Sequence, residues 1–517
     1  MDKKRSVLNV SVSVASKFIL MLAALIVRRL LIQKIGNDVN GLNSLYIDII
    51  GMMGVAELGV GSAIVYSMYS PIVKGDKKKV SALFCLYKRL YRIIGTIILA
   101  AGILVTPFLP KIIGDYDSID KSINVYLTFL LTVVSVVISY LYSAKSSLIE
   151  AHKDNYITTG ITTLSKLFMY GLQIASVIIW RSFTVFALCK IAGSLFAWAV
   201  TEIAVRKKYK EILSVHESID KETESEIVKN IKAMFMHKIG TILVNGVDSL
   251  IISIFIGVVI LGKYNNYAYI AGVVSSTIAL FFSPLTSVIG HLCTLKEASN
   301  TKRYFDYFYS LNFALGVIFF VGFYAVIDGL VALIFGEGLE ISRPIVFIIT
   351  MNHFTTYMRN ASLLFRNASG TFYNDRWKPV AEGTVNIILS LLFVNILPED
   401  LKIVGVIFAT ILTTLFICHI VEPYVIFRHV FESSPKPFYI RNYLYTVLFT
   451  VCLVVFPYIA KTLGLESNGI KGILLNGSLS LGVSAAALFI VAVIDKQFRN
   501  SVFTALKSIA GKFRAKA

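Results

Sequence analysis

Fourteen hydrophobic runs divide this chain of 517 residues. A membrane-spanning helix needs about 20 predominantly apolar residues, so fourteen of them would use roughly 300 residues. The pattern predicts an all-α, polytopic integral membrane protein with short loops. The runs cover residues 7–33, 40–69, 90–110, 123–149, 157–180, 183–205, 238–261, 265–295, 305–335, 343–365, 379–397, 403–427, 441–463 and 472–494.

The distribution of charge along the chain supports this reading. Only 16% of the residues are charged, whereas a soluble protein carries about 25%. Alternate loops hold 35 Lys and Arg residues on one side and 9 on the other. Because cytoplasmic loops collect basic residues, both termini are predicted to lie in the cytoplasm. The net charge of +19 is then explained by topology, and no nucleic-acid partner is predicted.

The longest predicted cytoplasmic loop separates the first six spans from the next six. We predict a first lobe at 1–205, a linker with an amphipathic helix at 206–237 and a second lobe at 238–430. Spans thirteen and fourteen would occupy 431–495. Residues 496–517 are predicted to form a basic amphipathic tail on the cytoplasmic leaflet.

The starts of the two lobes also show a short internal similarity. Gly36 follows the first run and Gly262 follows the seventh. Each is predicted to end a helix, with a tight turn leading into a span that has Asn and Tyr near its start. Both of these spans contain residues that weaken a helix, and paired interruptions of this kind point to a transport site. We predict hinges at Gly59, Gly61 and Pro284.

Basic residues inside predicted spans are the main candidates for substrate binding. An intramembrane charge is costly unless it faces water or a partner. Two of them, Lys17 and Arg28, fall within about 20° of the same helix face, and Arg suits phosphate because its planar fork makes two parallel hydrogen bonds. We predict that an anionic substrate group binds this set, although a structural pair between Arg28 and Glu57 is the alternative. The set is Lys17, Arg28, Arg29, Lys166, Lys190 and Arg359.

Acidic residues in the spans are candidates for ion coupling. Asp248 and Asn245 offer oxygen atoms on one helix face and could bind Na⁺, or Asp248 could carry H⁺. Glu57 is a further candidate. A purely structural Asp248, satisfied by a neighbouring hydroxyl or Arg, is an equally open alternative. Glu382 and Glu422 lie near cytoplasmic span ends and are predicted to be solvated.

Signs of enzyme or metal chemistry are missing from the sequence. The five cysteines are widely spaced and form no CxxC or metal-ligand pattern. No nucleotide-binding P-loop, HExxH or GxSxG motif occurs. We therefore predict a transporter and not an enzyme, with no metal site and no cofactor other than a coupling ion.

Three stretches carry a family resemblance. Residues 29–72 read RLLIQKIGNDVNGLNSLYIDIIGMMGVAELGVGSAIVYSMYSPI. Residues 245–270 read NGVDSLIISIFIGVVILGKYNNYAYI, and residues 357–394 read YMRNASLLFRNASGTFYNDRWKPVAEGTVNIILSLLFV. Together they closely resemble the bacterial polysaccharide-transporter (Wzx-type) flippases of the MOP exporter superfamily, and the resemblance extends over essentially the whole chain.

The resemblance implies a V-shaped bundle of two six-helix lobes with two extra C-terminal helices, placed in the bacterial cytoplasmic membrane. Members of the family are thought to move undecaprenyl-pyrophosphate-linked oligosaccharides to the outer leaflet by alternating access, through a cationic cavity. Polysaccharide polymerases and glycosyltransferases are the partners it suggests. Related flippases carry teichoic acid or peptidoglycan precursors.

A flippase for the lipid-linked repeat unit of a capsule or other polysaccharide is therefore the predicted function. Three alternatives remain open. A drug/ion antiporter of the same superfamily fits poorly with several basic residues in the spans. A membrane-embedded glycan polymerase would need a larger outer loop or an acidic cluster. A scaffold that recruits synthesis enzymes is the third.

Overall fold

The computed structural model of the chain is helical throughout the part it describes, and no strand occurs there. The predicted all-α class is confirmed. The described residues are 3–57, 60–214, 246–282, 289–290, 293, 298–371, 374–465 and 469–504.

Seventeen helices of ten residues or more lie in these ranges. Those of the first half are α1 Lys3–Lys34, α2 Asn37–Met53, α3 Val60–Lys74, α4 Lys77–Val105, α5 Val125–Ala151, α6 Asn155–Ile179, α7 Phe183–Lys208, α8 Gly246–Phe255 and α9 Val258–Phe282. Those of the second half are α10 Ala298–Phe335, α11 Arg343–Met358, α12 Asn360–Ser369, α13 Lys378–Ile396, α14 Lys402–Thr413, α15 His419–His429, α16 Lys436–Thr462 and α17 Gly469–Ile494.

Each of the fourteen predicted spans overlaps at least one of these helices. Among the described residues, nine helical stretches are long and apolar enough to cross a membrane. The predicted spans at 40–69 and 343–365 are each divided into two helices, α2 with α3 and α11 with α12. A polytopic membrane protein is therefore confirmed, and its broken spans are the places where local structure departs from a simple helix.

Short polar side chains define several helix starts. The Asp76 carboxylate accepts the backbone N–H of Lys79 at 2.9 Å and begins α4. Asn124 accepts the N–H of Leu127 at 3.0 Å and begins α5. These caps satisfy N–H groups that have no partner inside the helix, which fixes where each span begins.

The chain forms two compact units, Met1–Gly262 and Lys263–Ala517. In the first, α5 packs against α4 and α7, and α1 packs along α6. In the second, α10 packs along α17, and α14 packs against α11 and α13. The lobe bounds predicted from the sequence, 1–205 and 238–430, stay predictions. Most of the predicted linker 206–237 and the tail after residue 504 lie outside the described residues.

The turn before α9 is at Gly257, and the sequence-based placement at Gly262 was wrong. Gly257 has φ +114°, a backbone conformation that favours glycine. The first N–H of α9, on Val258, donates to the Asp115 carboxylate at 2.6 Å. Gly262 lies inside α9, where a Cβ would come within 2.5 Å of the Asn37 carbonyl oxygen. Sequence patterns could not locate the turn because its cap comes from a distant loop.

We expect Gly257→Ala to lower the free energy of unfolding by about 1–3 kcal/mol, since φ is unfavourable for Ala and the new Cβ would lie 2.6 Å from the Asp115 carboxylate. Gly272→Ala is the matched control, because Gly272 lies within α9 with no atom within 4 Å of the added Cβ. Thermal unfolding in detergent should show a lower midpoint for Gly257→Ala only. Equal midpoints for the two variants would contradict the role assigned to Gly257.

Candidate functional site

The first helix carries the predicted cationic face. Lys17 and Arg29 are exposed and Arg28 is half-buried. Lys17 and Arg28 lie about 16 Å apart along the helix axis. Lys17 and Arg29 form no ion pair within the described part of the chain. A charge exposed in a spanning segment is tolerated only where water reaches it. This face of α1 therefore fits a wet, cation-lined surface.

Two further predicted cations belong to helices of the same unit. Lys166 lies on α6, the helix that packs along α1, and it is exposed. Lys190 on α7 is half-buried, and its Nζ donates to Asn43 Oδ1 at 2.6 Å and to Thr132 Oγ1 at 3.3 Å. Both partners are neutral. Lys190 is therefore held by neutral oxygen atoms, with no carboxylate partner among the described residues.

Glu57 is bound by tyrosines and not by Arg28. It ends the 3₁₀ turn Gly54–Glu57 that follows α2. Tyr91 donates to Oε1 at 3.0 Å and Tyr140 donates to Oε2 at 2.9 Å. Within the described residues these hydroxyls, from α4 and α5, are the partners of the carboxylate. They fix the broken span against two neighbouring helices.

Gly61 leaves room for tyrosine hydroxyl groups next to Glu57. A Cβ at Gly61 would lie 3.0 Å from the Tyr87 hydroxyl and 3.1 Å from the Tyr91 hydroxyl. Its predicted role as a hinge stays a prediction. The other predicted hinges, Gly59 and Pro284, and the predicted coupling residue Asn245 lie outside the described residues.

Asp248 is half-buried on α8. Its neighbour Ser249 forms a hydrogen bond with the carboxylate of Asp48 on α2, and a Cβ at Gly246 would come within 2.7 Å of Met52. The start of α8 is thus packed tightly on α2. Whether Asp248 binds a coupling ion stays a prediction.

The second unit contains a buried group of two cations and two anions, which we call the charge quartet: Arg359, Lys378, Glu382 and Glu422. Arg359 NH2 lies 2.7 Å from Glu422 Oε1, and NH1 lies 3.2 Å from Glu382 Oε1. Lys378 Nζ lies 2.7 Å from Glu422 and 2.9 Å from Glu382. Arg359 is therefore already neutralised by carboxylates, unlike the exposed cations of the first unit.

The solvated positions predicted for Glu382 and Glu422 are wrong, because their side chains are only 5% and 0% exposed. The quartet also marks a helix break, since α11 ends and α12 begins at Arg359. Beside it, both ring nitrogens of His419 form hydrogen bonds, Nε2 with the Thr355 carbonyl oxygen at 2.9 Å and Nδ1 with the Asn442 side chain at 2.9 Å. Lys378 was not among the predicted site residues. The signal that could have found it is its spacing of four residues from Glu382.

We expect Tyr140→Phe to lower the free energy of unfolding by about 1.5–3 kcal/mol, because it removes one hydrogen bond to a charged group. Tyr142→Phe on the same helix is the control, since Tyr142 makes no hydrogen bond within the described residues. Thermal unfolding of both purified variants measures the difference. A similar loss in both would mean that the Glu57 contact contributes little.

We expect Glu422→Gln to destabilise the protein by about 3–5 kcal/mol, because it leaves a buried cation without compensation. The matched control is Glu399→Gln, whose side chain is 79% exposed in its pair with Lys402, and it should cost less than about 1 kcal/mol. Combining Glu422→Gln with Lys378→Gln restores neutrality and should recover part of the loss. No recovery would show that charge balance is not the cause.

The fold can now be compared with solved structures. The lipid II flippase MurJ, in an inward-closed conformation, matches with a TM-score of 0.62 and 16% sequence identity, over 93% of this chain and 99% of the flippase. An inward-facing multidrug resistance MATE family transporter of the MOP superfamily matches with a TM-score of 0.59 and 13% identity, over 81% of this chain and 98% of its own. A mutant of the Vibrio cholerae MATE transporter VcmN matches with a TM-score of 0.54 and 12% identity, over 83% of this chain and 98% of its own.

The sequence itself matches no protein-family model and no curated protein. At identities of 12–16% the likeness establishes the fold. The structures it resembles are transporters and a flippase, in line with the multiple apolar helices described above. The chain is a multi-pass helical membrane protein with the fold of MOP-superfamily transporters.

Proposed function

We propose that this chain is a flippase of the Wzx type, which moves an undecaprenyl-pyrophosphate-linked oligosaccharide from the inner to the outer leaflet of the bacterial cytoplasmic membrane. The observation that carries the proposal is that several basic residues in the spans of the first unit form no ion pair among the described residues. Lys17, Lys166 and Lys190 lie on helices of the first unit without an ion pair among the described residues. The basic residues of the quartet in the second unit are paired.

Uncompensated cations favour an anionic substrate over a cationic drug. Moving a diphosphate away from the aqueous surface is costly, and positive side chains along the path reduce that cost. In the proposed cycle, basic residues of the first unit bind the diphosphate while the polyprenyl tail remains in lipid. The oligosaccharide stays in the wet region, and alternating access exposes it on the outer side.

Chain length also favours a flippase over a drug antiporter. The two MATE structures match over 98% of their own length, yet nearly a fifth of this chain has no counterpart in them. The lipid II flippase covers 93% of the chain. The unmatched part is similar in length to the region from residue 431 to the end, which contains α16 and α17.

A peptidoglycan precursor flippase is the second candidate, because one of the matching structures is named a lipid II flippase. A teichoic acid precursor would present similar anionic lipid chemistry. The sugar distinguishes these substrates. Under the first proposal, glycosyltransferases complete the lipid-linked unit before transport and a polysaccharide polymerase uses it afterwards.

Return of the empty carrier requires a driving force, and we propose Na⁺ or H⁺ acting at Asp248 or Glu57. An ion can drive the cycle only if its affinity differs between the two states. Both oxygens of Glu57 accept tyrosine hydrogen bonds, so an ion bound there would share these oxygens with the two hydroxyls. Transport that is insensitive to both sodium and pH gradients would rule out this coupling.

Depletion of the protein in its native cell tests the function directly. Polyprenyl-linked sugars would be extracted and their structure and accessibility to an external probe determined. Accumulation of a complete unit shielded from the probe supports the flippase and identifies the sugar. Accumulation of incomplete units, or of complete units accessible from outside, would instead assign the protein to synthesis or to polymerisation.

We expect Lys17→Ala, Arg28→Ala and Lys190→Met each to reduce transport about ten- to hundredfold, because each removes a charge-assisted contact with the diphosphate worth about 1.5–3 kcal/mol. Lys34→Ala is the matched control, an exposed cation at the end of the same helix α1. Transport in depleted cells and the amount of protein in the membrane are measured together. Full transport by the Arg28 variant would remove Arg28 from the mechanism.

A further inference from the structure

A polar cavity of about 880 Å³ lies in the second unit, at the end predicted to face the cytoplasm. It is formed by the first turns of α10 and by the short helix of residues 496–504 that follows α17. Its lining is rich in side chains that donate hydrogen bonds. They include Asn300, Lys302, Arg303, Gln497, Asn500 and Ser501. None of these residues belongs to the transport site proposed above.

The cavity has an excess of positive charge. Lys302 and Arg303 form no ion pair within the described residues. Asp306 is the acidic residue in the lining, and it is already bound by Arg441, whose NH2 lies 3.2 Å from its Oδ1. The single carboxylate of the lining is thus paired with a cation that lies outside the cavity. With Arg441 counted, three cations surround this one carboxylate, so an anion entering the cavity meets a net positive charge.

Arg441 contributes a second, independent indication. It is only 9% exposed, and its guanidinium lies 4.8 Å from the ring centroid of Tyr309. NH1 donates to Gln497 at 2.6 Å, so this buried Arg binds two residues of the cavity wall. Its Nε has no hydrogen-bond partner among the described residues. Arg441 therefore adds a positive charge behind the cavity wall, where Asp306 and Gln497 hold it in place.

The surroundings indicate an anion that belongs to a lipid. Tyr304 lines the cavity and is exposed, as expected for an aromatic residue at the membrane interface. Ile440, next to Arg441 on α16, and Phe503, on the short helix, are also exposed. Apolar side chains therefore flank a cationic, polar cavity, which suits a molecule with a phosphate and attached acyl chains.

We propose that this cavity binds the phosphate headgroup of an anionic phospholipid from the cytoplasmic leaflet. Lys302 and Arg303 contact the phosphate. Asn500, Ser501 and Gln497 offer hydrogen-bonding groups to headgroup hydroxyls. The inference does not depend on the identity of the transported lipid, because it concerns a different set of residues.

The test uses the full-length protein in detergent with phosphatidylglycerol or phosphatidylcholine added, and bound lipid is measured by native mass spectrometry. Wild type should retain phosphatidylglycerol about tenfold more tightly than phosphatidylcholine. Lys302→Gln combined with Arg303→Gln should abolish this preference. The matched control, Lys153→Gln combined with Arg428→Gln, removes two exposed cations from the same predicted side of the membrane and should retain it.

Three results would overturn the assignment. One is an unchanged preference for phosphatidylglycerol in the Lys302/Arg303 variant. Another is displacement of the lipid by glycerol phosphate or inorganic phosphate at similar concentration, which would indicate a site for a soluble anion. The third is retention of undecaprenyl phosphate in place of phosphatidylglycerol, which would place the cavity on the substrate path.

A photoreactive phosphatidylglycerol provides a measurement that does not rely on substitution. Crosslinks should map to the peptide containing Tyr304 and Tyr307. Crosslinks confined to other parts of the second unit would contradict the proposal even if the variants lost their lipid preference.

Discussion

An ionised side chain in a lipid bilayer must either be paired with an opposite charge or remain in contact with water. In the second unit, Arg359 and Lys378 are paired with Glu382 and Glu422, all of them largely buried. Lys17 and Lys166 of the first unit are exposed and follow the other solution, contact with water. This difference underlies both the proposed substrate and the place where it binds.

Breaks in the spanning helices coincide with polar or charged residues. In the span made of α2 and α3 the α-helix gives way to the 3₁₀ turn Gly54–Glu57, and the span made of α11 and α12 is interrupted at Arg359. A π turn, Thr414–Cys418, separates α14 from α15, and the Tyr443 hydroxyl donates to the Leu415 carbonyl there at 2.8 Å. A broken helix leaves backbone groups without partners, and within a membrane other protein groups must satisfy them. The breaks are therefore stable only where neighbouring helices supply hydrogen bonds.

The spans could be predicted from sequence because hydropathy is a local property with a length set by the bilayer. The partners of individual charged residues could not be predicted in this way. Glu57 is bound by tyrosines 34 and 83 residues away, and Arg359 contacts Glu422 at a separation of 63 residues. The same limit explains the misplaced turn at Gly262, since the cap on α9 comes from Asp115, 143 residues from Val258. Contacts at such separations depend on how helices pack, which a periodic pattern in one segment does not contain.

Charge balance also determines how the basic residues of each unit respond to membrane voltage. Its two positive and two negative groups sum to zero, so moving the quartet as a whole through the electric field does no net electrical work. The uncompensated cations of the first unit each experience about 2.3 kcal/mol per 100 mV if they cross the full field. An anionic headgroup bound to them would cancel that energy. A membrane potential therefore acts differently on the empty and the loaded first unit, while the quartet remains electrically silent.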